Sequence, residues 1–326
     1  MQEKKNLFIV NSPLQLLNAI EAVYKFNLKN LLLVAIYNRS ENNKNQMENK
    51  IKEFSFDEVV RFTPKKGSKY IGYVRLINQL KEYQYDNVFT GELEDPSFRV
   101  LVANIKKEKL FLLDEGTSTI VDYETKIKKN KFNKLEYKLI RYLFAGFNLK
   151  LKDTINFFTY YDFEPLDGGD VIRNRLEYMR KDFKQNSVDY SDTLFFLGKP
   201  LFIFSDKNEF DIVLQNVLQK YKSKKIVYFP HKDESDTIKN IKKICKDIEF
   251  LEINQPIEEY FLKNGIYPKH IISCSSTALI TTKILFDECS VEYIKIKNPN
   301  TNLDYMKNSD IIYNYFEKNS ILKFKL

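Results

Sequence analysis

The chain has 326 residues, 43% hydrophobic and 14% aromatic, which is enough for two ordinary cores and excludes global disorder. Its 52 Lys and Arg against 44 Asp and Glu give a net charge of +8, which suits an anionic partner and equally describes a Lys-rich solvated surface. No run approaches the roughly 18 apolar residues of a membrane span, the stretch after Met1–Asn6 is too short for a signal peptide, and Cys245, Cys274 and Cys289 lack metal-ligand spacing and read as reduced thiols.

Strands and helices alternate from the start. Leu7 to Val10 predicts a strand, and Pro13 to Ile20 opens an amphipathic helix. Leu31 to Ile36 is a second strand, Asn43 to Phe54 a helix, and Glu58 to Phe62 a third strand. Ile71 to Tyr83 has helical period, Asn87 to Thr90 is a strand, Arg99 to Ile105 a helix and Lys109 to Leu113 a strand. Fully apolar strands separated by helices indicate a parallel sheet covered on both faces. The alternation breaks over about 122–192, a charged and aromatic stretch that reads as an insertion followed by a connection.

The alternation resumes with a strand at Thr193 to Leu197 and a helix near Glu209 to Lys222. Ile226 to Phe229 is a strand, Asp236 to Lys246 a helix, and Ile248 to Leu251 and Ile271 to Ser273 are short strands. A helix over Ser276 to Leu285 and a strand over Val291 to Ile296 complete the pattern. The expected fold class is α/β: two Rossmann-like doubly wound domains facing a central cleft, the GT-B layout of glycosyltransferases and some nucleotide-sugar epimerases. The expected boundaries are 1–165, with a basic insertion at about 122–152, a linker over 166–192, and a second domain over 193–326. The fold alone does not choose a reaction.

Six short constellations could carry chemistry, five of them at strand ends, where open α/β sheets bind ligands. After Leu113 come Asp114-Glu115-Gly116-Thr117-Ser118: a carboxylate there can serve as a general base, Gly116 permits a positive φ, and a helix cap explains the same residues. His231, one of two histidines, ends Ile226-Val227-Tyr228-Phe229-Pro230-His231 and could bind or protonate a phosphate oxygen, with Lys232 adding charge. Ser275-Ser276-Thr277 lie between a strand and a helix, where hydroxyls and free N–H groups form an anion site. Glu258, after Pro256 at a helix start, could bind both hydroxyls of a ribose. Asn11, Ser12 and Gln15 follow the first strand and could hydrogen-bond a sugar, although a Pro-started helix explains their spacing equally well. Gly198 would let the backbone approach a nucleotide.

Together these pieces resemble the bacterial sialyltransferases of glycosyltransferase families 52 and 38, the lipooligosaccharide sialyltransferases and capsule polysialyltransferases. Phe8-Ile9-Val10-Asn11-Ser12-Pro13-Leu14-Gln15 is similar to the start of that group. Asp114-Glu115-Gly116 matches its acidic-acidic-glycine motif and Ser275-Ser276-Thr277 its Ser/Thr-rich motif. Where the family carries His-Pro, this chain has Pro230-His231-Lys232. The resemblance implies CMP-sialic acid as donor and inversion at the anomeric carbon. It implies Asp114 or Glu115 as base and His231 assisting CMP departure, with Ser275, Ser276 and the helix N-terminus behind it. A monophosphate leaving group needs no metal, so no cofactor is expected. The expected partners are the CMP-sugar and a glycan acceptor, with no nucleic acid; a homodimer is allowed. Lys126 to Lys152 reads as a basic amphipathic helix, with Phe132, Leu135, Leu139, Tyr142, Leu143 and Phe147 at helical spacing. Such a helix lies on an anionic membrane, lines an acceptor groove, or packs with a Lys-rich outer face. Tyr313 to Leu326 reads as a second basic amphipathic element, of the kind that crosses back to the first domain in GT-B folds. A cytoplasmic location, with peripheral contact to the inner membrane face, follows from these expectations.

Overall fold

A computed structural model describes residues 4–38, 40–129, 131, 137–181, 188–199, 207–231, 241, 245, 248–296 and 303–325. They divide into two compact units, Met1–Tyr178 and Met179–Leu326.

The first unit is built on seven strands: β1 (Lys5–Val10), β2 (Leu31–Ile36), β3 (Glu58–Phe62), β4 (Gln84–Thr90), β5 (Lys106–Leu113), β6 (Ile155–Thr159) and β7 (Val171–Arg173). Their order is β3-β2-β1-β4-β5-β6-β7, and every pairing is parallel. All six residues of β2 and the last five of β1 are buried, as strands covered on both faces must be. Helix Pro13–Phe26 follows β1: the Ser12 hydroxyl accepts from the Gln15 N–H, and Asn27 leaves the helix at a φ of 50°.

Three phenylalanines fix the register at the sheet's centre. Phe8 of β1 pairs with Phe89 of β4, which pairs with Phe111 of β5. Their rings stack at 4.8 Å in both steps, and Phe26 from the first helix closes over Phe89, Phe111 and Phe158. A slip of one residue would turn these rings to the other face of the sheet. The stack therefore sets the ends of β1, β4 and β5 level with one another.

The second unit repeats the plan with β8 (Thr193–Leu197), β9 (Lys225–Phe229), β10 (Glu249–Phe250), β11 (His270–Ser273), β12 (Ser290–Tyr293) and β13 (Leu322–Lys323). The order is β10-β9-β8-β11-β12-β13, again all parallel. In both units the sequence of neighbours is that of the Rossmann fold, with the reversal of strand order at β1/β4 and at β8/β11.

Three expectations change. Within 166–192, read as linker, β7 extends the first sheet beyond β6. The basic stretch 126–152 is not one helix among its described residues. A π-helical turn, Tyr123–Ile127, runs into its start, and a 3-10 turn at Tyr137–Leu139 runs into the short helix Ile140–Phe144. Gly146, at a φ of 79°, ends that helix: its N–H donates to Leu143 O and the Phe147 N–H donates to Tyr142 O. At the C-terminus, helix Leu303–Lys318 packs Tyr313 and Phe316 on Tyr293 of β12, and a turn at Ser320 then leads into β13. The helix predicted over Asp236 to Lys246 lies almost wholly outside the described residues.

Replacing Phe89, fully buried at the centre of the stack, with Ala removes its ring contacts with Phe8, Phe111 and Phe26. Phe89→Ala is expected to lower stability by about 3–5 kcal/mol in urea denaturation; a loss under about 1 kcal/mol would show that the stack does not hold the sheet.

Candidate active site

The two adjacent carboxyls after β5 have opposite surroundings. Asp114 is 1% exposed. It accepts hydrogen bonds from Thr159 Oγ1 at 2.7 Å and the Tyr160 N–H at 2.9 Å, both at the end of β6. Its own carbonyl accepts from Asn18 Nδ2 at 3.0 Å, and Asn18 Oδ1 accepts from Asn174 Nδ2 at 3.1 Å. This buried polar network ties the first helix, β5, β6 and the end of β7 together. Burial pushes the Asp114 carboxyl up to about 7, against the hydrogen bonds from Thr159 and Tyr160. Asp114 is thus committed to the core.

Glu115 is the carboxyl that opens onto space. It lines a cavity of about 310 Å³ with Gly91, Glu92, Glu94, Ser118, Thr119 and Asp122 among others. Gly116, at a φ of 81°, turns the chain immediately after it, and the Glu115 N–H donates to Thr119 Oγ1 at 2.7 Å. Ser12 donates a hydrogen bond to the Glu115 carboxyl. Glu115 Oε2 is buried without a hydrogen-bond partner among the described residues. Burial, with the nearby Glu92 charge second, pushes the Glu115 carboxyl up to about 8.

Glu92, which the sequence reading did not single out, stands across the β1/β4 reversal. It follows β4 as Glu115 follows β5. Asn11 Nδ2 donates to its Oε2 at 2.6 Å, and the Asp95 N–H donates to its Oε1 at 3.1 Å. Burial raises its carboxyl as well, and Asp122 shifts upward for the same first cause. Burial thus raises three of the carboxyls that line the cavity, Glu92, Glu115 and Asp122. The signal in the sequence was Gly91-Glu92 directly after an apolar strand, a copy of the strand-then-acid pattern at Asp114-Glu115.

The residues expected to touch a sugar after β1 are placed differently. Gln15 is fully buried. Its Oε1 accepts from the Asn11 N–H at 2.8 Å and its Nε2 donates to Gly91 O at 3.1 Å, so it braces β1 to β4. A Cβ on Gly91 would lie 2.0 Å from the Gln15 side chain, which is why glycine stands there. Gln15 is corrected from a sugar ligand to a brace. Asn11 and Ser12 act on Glu92 and Glu115 respectively.

In the second unit Gly198, Pro230, His231 and Ser275 to Thr277 follow strands at the C-terminal edge of the sheet. The Gly198 N–H donates to Phe229 O at 2.8 Å, and Ser273 Oγ donates to Leu197 O at 2.9 Å, which ties the ends of β8, β9 and β11 together. Pro230 and His231 follow β9, and Ser275, Ser276 and Thr277 follow β11. Ser276 Oγ accepts from the Ala278 N–H at 3.3 Å at the start of helix Ala278–Leu285, while Thr277 makes no side-chain cap. One hydroxyl of the trio thus serves as a cap. Glu258 is 7% exposed and its carboxylate accepts from Thr281 Oγ1. Burial raises its carboxyl. It is a buried link between two helices, a correction to its expected ribose role. Lys232 lies outside the described residues. Among the described residues, no group of three His, Cys, Asp or Glu is arranged to hold a metal ion.

Two Rossmann-type units, each with polar residues at the C-terminal ends of its strands, define the GT-B fold class. The chain belongs to the alpha-2,8-polysialyltransferase family, which matches residues 6–295, and so to the sialyltransferases among the glycosyltransferases. It is similar in fold to the GT-B domain of the sialyltransferase from Photobacterium damselae. That match has a TM-score of 0.54 and 12% identity, over 98% of each chain. The putative UDP-N-acetylglucosamine 2-epimerase from Listeria monocytogenes gives a TM-score of 0.57 at 10% identity, over 97% of this chain and 88% of that one. No curated protein sequence matches the chain. No described helix is long and apolar enough to cross a membrane.

The raised Glu115 carboxyl has a consequence for stability. Its folded value of about 8 lies above its ordinary 4.5, so its contribution is complete below about pH 4.5, is lost as pH rises toward 8, and is constant above that. Glu115→Gln is therefore expected to raise the melting temperature more at pH 8 than at about pH 5. An equal change at both pH values would place the carboxyl in an ordinary solvated setting.

Proposed function

We propose that the protein is an inverting, metal-independent sialyltransferase that moves sialic acid from CMP-sialic acid to a hydroxyl of a cell-surface glycan, a lipooligosaccharide or a capsule chain. Family membership favours the 8-hydroxyl of a terminal sialic acid as the acceptor group. The observation that carries the reading is Glu115, a desolvated carboxyl with an unpartnered oxygen in a cavity at the end of β5.

In this reading the acceptor oxygen attacks the anomeric carbon of the donor while the bond from that carbon to the CMP phosphate oxygen breaks. The acceptor proton passes to the ionised Glu115 carboxylate. Ser12 orients that carboxylate, and burial, with the charge of Glu92 held by Asn11 second, keeps its proton affinity high. The strand-end residues of the second unit receive the nucleotide. His231 donates a hydrogen bond or proton to the departing phosphate, and Ser275, Thr277 and the Gly198 backbone border the same sheet edge. A phosphate monoester leaves with two charges on one group, so no metal is called for to bridge two phosphates.

Glu115→Gln is expected to lower kcat by about 10²–10⁴-fold while the protein stays folded. Retention of transfer in that variant would remove Glu115 as the base. His231→Ala should cost on the order of 10²-fold in CMP release from CMP-sialic acid, and activity should survive EDTA treatment. Restoration of an EDTA-inactivated enzyme by a divalent cation would contradict the metal-independent route. Thermal stabilisation by UDP and not by CMP or CDP would sink the cytidine donor.

A further inference from the structure

The distribution of charge is uneven. Residues 126–152 hold nine Lys and Arg and one acid, a charge equal to the whole chain's net +8. The remaining 299 residues carry 43 cations and 43 anions and are neutral. The excess positive charge of the chain is therefore confined to one segment of the first unit.

That segment also shows apolar side chains to solvent. Tyr137 is 79% exposed, Ile140 44%, Leu143 58% and Phe144 86%, so four large apolar residues stand in the open within eight positions. They are held in place from behind. Leu139 and Tyr142 are buried at 2% and 1%. Tyr142 packs edge-on against Tyr70 at 4.8 Å, its hydroxyl donates to Ser97 Oγ at 3.3 Å, and Tyr70 donates to the Arg141 carbonyl at 2.7 Å. The turn is thus anchored on one side and apolar on the other. Of the apolar residues at helical spacing in the sequence, the structure buries Leu139, Tyr142 and Phe147 and leaves Leu143 exposed beside Ile140 and Phe144.

We propose that Ile140, Leu143 and Phe144, framed by the basic segment, form a peripheral docking surface for an anionic lipid bilayer. The charge speaks for the lipid: exposed Lys128, Lys129, Lys131, Arg141, Lys150 and Lys152 surround the patch in sequence and would meet anionic headgroups. The apolar set decides against a polyanionic glycan, because a charged sugar chain offers Leu143 and Phe144 no hydrocarbon in which to be buried. A membrane interface offers both partners at once, headgroup charge and acyl chain. The inference is independent of the transfer reaction and would stand if the donor or base assignment failed.

The test is co-sedimentation of the full chain with vesicles of phosphatidylcholine, with and without phosphatidylglycerol. Binding is expected only to the anionic vesicles and is expected to weaken as salt rises. Leu143→Ser with Phe144→Ser should lower the partition by about tenfold or more, and Lys129→Gln with Lys131→Gln should lower it as well. The chain has no tryptophan, so Phe144→Trp supplies a single reporter whose emission should shift to the blue on anionic vesicles. Turnover of CMP-sialic acid with a soluble acceptor should be unchanged in all these variants, which separates failure of docking from failure of the enzyme. Absence of vesicle binding, binding that ignores the apolar pair, or a parent dimer that the Leu143/Phe144 replacement dissociates would each overturn the proposal. The last outcome would make the patch an interface between copies of this chain.

Discussion

The level alignment of β1, β4 and β5 is the constraint on which the proposed site depends. Phe8, Phe89 and Phe111 stack across these strands at matched register, so all three strands end at one height. Asn11, Glu92 and Glu115 are the residues that follow. None of them lies near another in sequence. Their meeting is a product of hydrophobic register, with period-two strands allowing one pairing to bury the rings. The site's polar geometry is inherited from an apolar core.

On that frame the two neighbouring carboxyls divide their tasks by surroundings. Asp114 receives Thr159 and the Tyr160 N–H and joins β5 to β6. Among the described residues Glu115 receives Ser12 alone, and its second oxygen has no hydrogen-bond partner. A desolvated carboxyl left incompletely bonded costs stability. That cost is of the kind expected of a group kept for chemistry, since a base is most effective when its proton affinity lies near the working pH.

The parallel sheets were legible because their strands are continuous apolar runs, as in Leu31 to Ile36, and because those runs alternate with helices. The resemblance to a sialyltransferase family was drawn from Asp114-Glu115-Gly116 and Ser275-Ser276-Thr277 among others, and the family match over residues 6–295 bears out the family. The choice between Asp114 and Glu115 was not, because Asp114's partners, Thr159 and Tyr160, lie far along the chain and arrive only when β6 pairs with β5. Gln15 and Glu258 looked like ligand groups because their residue types allow it; only burial shows them spent on Gly91 and Thr281. The long amphipathic helix expected over 126–152 is broken among its described residues into a π turn, a 3-10 turn and one short helix, and the left-handed φ of Gly146 ends that last helix although the apolar spacing continues to Phe147.

The pH dependence of single-turnover transfer from CMP-sialic acid tests the central claim most directly, namely that Glu115 must lose a proton held near pH 8 before it can act. The account predicts a rate that rises with pH through an apparent value near 8, and loss of that limb in Glu115→Gln. A rate already level from about pH 5 upward, or a limb that persists in Glu115→Gln, would contradict it.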